Sequence, residues 1–222
     1  MKPRSALAAY LVASSLAGVS CASSPEPQFY TLFPGQGPVR AGEPLEVEVR
    51  RPGLPGYLDR PQIVRHEQPG KLEFSGADRW GAPLDGMVAN VLVQDLAQRL
   101  PSASVYGETG AISASPDALV EVDIQRFELT ERGAVELVAQ VAVRWVDVEA
   151  APGLQRFTLS RTPNDRSTTR LVAEMSGLLA ELADSIARTL RAGPPPARPA
   201  AANGADQPAA EPPSDPPEAP PR

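Results

Sequence analysis

The run "ALVEVDIQRFELTERGAVELVAQVAVRWVDV", residues 118–148, alternates apolar and polar residues on both sides of a short polar break. In its first arm Val120, Val122 and Ile124 alternate with Glu121, Asp123 and Gln125. A period of two puts the first set on one face of a strand and the second on the other. The parity then shifts to Phe127 and Leu129, which predicts a β-bulge near Gln125–Arg126. "TERGA" (130–134) turns the chain. In the second arm Val135, Leu137, Ala139, Val141, Val143 and Trp145 share one face. Two long half-buried strands joined by a turn make an antiparallel hairpin with one wet side.

Working outward, "AAPG" (150–153) is a second turn and "LQRFTLSR" (154–161) a third antiparallel strand. The chain then changes period. Leu171, Met175, Leu178, Leu182, Ile186 and Leu190 recur at three- and four-residue steps, the mark of an amphipathic helix. Ser167 or Thr168 is its N-cap, and Gly193–Pro194 ends it. Upstream, Leu84, Val88, Val91, Leu92, Leu96 and Leu100 form a second apolar stripe, opened by Pro83 and stopped by Pro101. "QFYTLF" (28–33), "PLEVEVRR" (44–51), "PQIVRHE" (61–67) and "KLEF" (71–74) read as strands, the last two separated by the turn signal "QPG". The order is four strands, a helix, a short strand, three longer strands and a helix. This is an α+β domain over residues 28–192, a mostly antiparallel β-sheet with two amphipathic helices packed on one face.

The two ends have a different composition. Residues 1–20 carry Lys2 and Arg4 ahead of an uncharged, mostly apolar run from Ala6 to Val19. That run is short of the ~20 residues a membrane-spanning helix needs, and it reads as a secretory signal. Cys21, the chain's one cysteine, follows small residues at the expected cleavage point, a pattern that resembles a bacterial lipobox. An exported chain with one cysteine has no internal disulfide to make, so Cys21 is the expected lipidation site. Residues 21–27 form a short tether. Residues 193–222 hold no aromatic residue and no Leu, Ile, Val or Met, and read as a disordered Pro/Ala-rich tail. Loss of Lys2 and Arg4 takes the net charge from −6 to about −8. An acidic chain has no general attraction to nucleic acid or to anionic membrane.

Little in the sequence points to catalysis, and no enzyme activity is expected. The chain has one histidine, His66, and no "GxSxG" around any serine. Clustered His/Cys metal sites are excluded by count, and the glycine-bearing "GETGAISAS" (107–115) lacks the Lys-Ser/Thr of a phosphate loop. Neither cofactor nor metal is expected. The distinctive stretch is "PGYLDRPQIVRHE" (55–67). Pro55 and Gly56 make a turn. Tyr57 and Leu58 offer apolar area with a polar handle, Asp59 and Arg60 can pair with each other or with a partner, and Pro61 keeps Arg60 extended. Two roles stay open for this stretch, a docking surface or an internal brace held by Arg79–Trp80.

"YLDRPQIV" (57–64), "DRW" (78–80) with "PL" (83–84), "LAQRL" (96–100) and the early "FYTL" (29–32) together resemble the PqiC-like family of ABC-type transport auxiliary lipoproteins. The resemblance covers about residues 21–190. It implies a non-catalytic outer-membrane lipoprotein that docks the periplasmic lipid conduit of an MCE-domain protein, with an ABC permease and ATPase or another integral inner-membrane partner behind it. It also implies a periplasmic-face, lipid-anchored location, and homo-oligomerisation is plausible by analogy. Partner-binding residues expected on this basis are Tyr57, Leu58, Asp59, Arg60, Gln62, Arg79 and Trp80. The rival reading is a structural lipoprotein that binds peptidoglycan or an envelope assembly machine.

Overall fold

The computed structural model describes residues 26–112, 114–148 and 153–194. The expected signal segment, Cys21, most of the tether and the tail beyond Pro194 lie outside the described residues.

The long hairpin forms as its alternation dictates. β6 (Ala118–Leu129) and β7 (Val135–Trp145) pair antiparallel along their whole length. The register slips once, between Ile124 and Arg126, leaving Gln125 as the extra residue of a bulge. The slip turns Phe127 and Leu129 to the same side as Val120, Val122 and Ile124, and all five are buried. β8 (Gly153–Arg161) adds antiparallel to β7 and forms an edge of the sheet.

The opposite edge of β6 is shared by two smaller groups of strands. β2 (Leu45–Val49) runs parallel to the start of β6 and carries β5 (Ala103–Gly107) on its far side, also parallel. β3 (Gln62–Gln68) meets the end of β6 through Arg65 and Leu129. β3 turns at Pro69–Gly70 into β4 (Lys71–Trp80), and β1 (Gln28–Tyr30) lies parallel on β4. Gly70 adopts φ +75°, the left-handed conformation glycine reaches at no steric cost. The sheet of eight strands is therefore mixed. Its longest ladders are antiparallel, and its parallel pairs join segments far apart in sequence, which periodicity alone does not reveal. β4 also runs on through "SGADRW", past the "KLEF" expected from alternation, because Ser75, Gly76 and Ala77 carry no strong apolar signal.

Both helices cover one face. α1 (Leu84–Arg99) packs over β2 and β5, α2 (Thr168–Ala192) over β6, β7 and β8, and the two helices touch. Every apolar stripe residue expected from the spacing is buried, from Leu84 to Leu100 in α1 and from Leu171 to Leu190 in α2. Ser167 caps α2 through its Oγ, which accepts the Arg170 N–H at 3.2 Å. The other face of the sheet is open and carries ion pairs such as Arg144–Glu121 and Arg126–Glu136.

An irregular strap, residues 31–42, crosses from β1 over the helices. Arg99, fully buried in α1, holds it there. Its guanidinium donates to the carbonyls of Gly35, Asp95 and Ala180 and pairs with Asp184 of α2. The Gly35 N–H donates to Asp95 Oδ1 at 2.8 Å. The approach is close enough to require glycine: a Cβ at Gly35 would sit 2.6 Å from the Ala180 Cβ. A Cβ at Gly37 would fall on the Arg99 guanidinium.

Candidate functional site

The stretch 55–61 leaves and rejoins the edge of β6. After β2 the chain keeps its hold on that edge. Arg50 N–H donates to Val120 O, Gly53 N–H to Val122 O, and Ile124 N–H returns to Gly53 O, each at 2.9 Å. At Pro55 the backbone departs. Leu58 N–H closes a turn on Pro55 O at 2.9 Å, Arg60 N–H donates to Leu58 O, and Trp80 N–H donates to Pro61 O at 2.7 Å. The loop is thus fixed at both ends and in its middle by backbone bonds.

Its side chains divide by burial. Leu58 and Trp80 are core residues, 2% and 5% exposed. For Leu58 this is the internal-brace role and not exposed apolar area, and with Trp80 it shapes the surface from beneath. Asp59 is exposed. Arg60 lies over Phe74 of β4, its guanidinium 4.1 Å from the ring centroid, a cation–π contact that ties the loop to β4. Arg79 donates to the carbonyls of Ser75, Gly76 and Asp78 and so braces the bend in its own strand. The register sets Phe29, Arg79 and Gln62 side by side across β1, β4 and β3. Tyr30 and Trp80, the next residues along two of those strands, point the other way into the core. The structure therefore sets Gln62, Arg79 and Phe29 in one row, places Arg60 against Phe74 of the same β3–β4 hairpin, and leaves Asp59 exposed on the loop before it, within electrostatic reach of Arg51.

Tyr57 introduces a residue that the sequence reading passed over. Its hydroxyl donates to Glu128 Oε2 at 3.0 Å, and the Phe127 N–H donates to the same oxygen at 2.9 Å. Glu128 Oε1 lies 3.5 Å from His66 Nε2 and 3.4 Å from Arg126 Nε. Glu128 is completely buried although it lies on the open side of the sheet, opposite in parity to Phe127 and Leu129. Burial pushes its carboxyl above the ordinary carboxylate range, against the opposing pull of Phe127 N–H, Tyr57, His66 and Arg126. Burial, and then the Glu128 charge, likewise push the Tyr57 phenol well above its usual value. Alternation alone assigns Glu128 to water. No local signal marks it, because the side chains that cover it, Tyr57 and His66, come from distant parts of the chain. This cluster holds the loop down. Tyr57 and His66 are committed to it.

A concavity of about 380 Å³ lies on the open face between Arg50, Arg51, Glu108, Glu121, Asp123 and Leu154. It is lined by paired charges, including Arg50–Glu108, and is wide open to solvent. Among the described residues no group of three or more His, Cys, Asp or Glu is placed to hold a metal ion. Among the same residues no helix is long and apolar enough to cross a membrane.

A family model described as "ABC-type transport auxiliary lipoprotein component" matches residues 30–187. Among solved structures, one uncharacterised protein shares the fold at 19% identity and a TM-score of 0.63, covering 75% of this chain and 99% of its own. A protein of Xanthomonas campestris, assigned to a family of unknown function, matches at 16% identity and a TM-score of 0.55, over 72% of this chain and 92% of its own. At such identities the likeness is one of fold. No curated protein matches the chain.

Proposed function

The chain belongs to the family of ABC-type transport auxiliary lipoprotein components, and from that premise we propose that it is a non-catalytic docking subunit at the outer membrane. In this reading Cys21 carries the lipid, and Ala22, which is not acidic, lets the protein be sorted outward. The domain then holds the outer end of a conduit built by an MCE-domain protein, through which lipid crosses the periplasm.

The observation that carries the reading is the outward region around the loop. Gln62 and Arg79 share a ladder row, Arg60 lies against the exposed ring of Phe74, and Asp59 is exposed on a loop fixed by turn hydrogen bonds. Arginine and aromatic residues on a rigid frame are the composition that interface centres favour, and a preorganised loop loses little entropy when it binds. The tether supports the same placement. Seven residues separate Cys21 from Phe29, a reach of at most ~29 Å, so the domain stays beside the membrane that holds its lipid.

The test is site-specific photo-cross-linking in cells. A photoreactive residue at Asp59 is expected to capture an MCE-domain protein, whereas one at Thr158, on the edge strand β8, is not. Capture of peptidoglycan-associated or assembly proteins at position 59 in place of an MCE protein would replace this reading with that of a structural lipoprotein. Fractionation checks the anchor: Cys21→Ala should move the protein to the soluble periplasm, and Ala22→Asp should retain it at the inner membrane.

A further inference from the structure

Residues 29–33, "FYTLF", alternate cleanly, but with aromatic residues on the wrong side for a soluble domain. Tyr30 and Leu32 turn inward, half-buried and buried respectively. Phe29 and Phe33 turn outward, 70% and 47% exposed. This exposure does not come from a loose end. Phe29 is held in the β1–β4 ladder opposite Arg79. The Phe33 N–H donates to Ser176 Oγ of α2 at 3.3 Å, and the strap beyond it is fixed by Asp95 and Arg99. From Pro27 through Val39 the chain carries no charged side chain, and Val39 is itself 67% exposed. An uncharged strip with protruding aromatics suits the headgroup layer, where Gln28, Thr31 and Gln36 stay hydrated while the rings reach the acyl boundary. Phe29 also stands only eight residues from Cys21.

We propose that Phe29 and Phe33 form the face by which the domain rests on the lipid bilayer, dipping into its interfacial layer. The proposal rests on the anchor assigned above, because two rings alone do not hold a protein on a membrane. Once a lipid confines the domain, the local lipid concentration is high, and a modest apolar contact is enough to fix orientation. Aromatic side chains at headgroup depth suit this role. The orientation also places the Arg79–Gln62 row one strand away from the bilayer, so a docked conduit would end beside the lipid.

The experiment uses the full acylated protein in vesicles of phosphatidylethanolamine and phosphatidylglycerol. With Cys21 blocked by its lipid, Phe29→Cys, Phe33→Cys and Leu154→Cys each give a unique thiol for a nitroxide label. Leu154 is the matched control, an exposed apolar residue on β8 at the other edge of the sheet. The ratio of oxygen to nickel-chelate collision rates is expected to be several-fold higher at positions 29 and 33 than at 154. If the protein floats with the vesicles and all three labels read as water, the bilayer contact is wrong while the anchor stands. Shielding of 29 and 33 from both reagents would show protein cover instead, and would equally overturn it. Failure to float, with Cys21 free to react, would remove the anchor and this inference together.

Discussion

Glu128 sits on the side of the sheet that its neighbours leave to water, yet it has no exposed surface. Its carboxyl is held above the ordinary range, so the folded chain binds that proton more tightly than the unfolded chain does. The stability it contributes is therefore present in acid, and is lost as pH rises from the unfolded value near ~4.3 towards the raised folded one. Glu128→Gln keeps an acceptor for Tyr57 and removes the ionisation. The variant's melting temperature should gain on the wild type across that window, by roughly 2–4 °C for each kcal/mol in a domain of this size. Parallel Tm profiles for the two proteins between acid and neutral pH would mean that Glu128 does not titrate there. Two neighbours in the loop behave oppositely. Leu58→Ala should cost about 2–5 kcal/mol, since it empties a buried site, whereas Asp59→Lys should stay within about 0.5 kcal/mol. Denaturant titration of the two variants measures the contrast. Side-chain type marked this stretch as unusual, but it did not say which of Tyr57, Leu58 and Trp80 faced inward. For Tyr57 that is settled by Glu128, 71 residues away in sequence.

The elements most legible in the sequence were those whose burial follows a local period. The 118–148 hairpin with its bulge, and both helix stripes, needed only alternation or the 3.6-residue repeat. The strap over the helices was not legible, because its stability is not periodic. It depends on one buried cation and on two glycines that let the backbone pass. Arg99→Ala should be among the most damaging single changes in the chain. It leaves Asp95 buried without its partner and releases three carbonyls, at a cost of about 3–5 kcal/mol. Gly35→Val should also destabilise, by about 1–3 kcal/mol, because its Cβ meets Ala180. Thermal melts of both variants check these values, and a Gly35→Val protein as stable as the wild type would show that the strap can lift away from α2. The parallel pairing of β2 and β3 with β6 was equally hidden, since nothing local distinguishes a strand that adds parallel from one that adds antiparallel.

For the whole molecule, hydrophobic burial runs from Leu32 in the strap to Leu190 in α2 without a break into separate cores. Gly193, at φ +76°, ends α2 by donating its N–H to Leu190 O. Removal of residues 195–222 should therefore leave Tm within about a degree of the full chain, since the composition of that segment offers nothing to bury. Calorimetry on the shortened protein is the check, and a large drop would mean that the tail packs on the domain. β2 and β3 hold the same edge of β6 at its two ends, and residues 55–61 arch out between those two grips. The arch is not a free span, because Leu58 enters the core and Tyr57 is bonded to Glu128 of the strand it bridges, so arch and ladder fix one another. A change in the length of the arch would therefore have to be met by a change beneath it, at Leu58 or at Glu128, before both grips could close again.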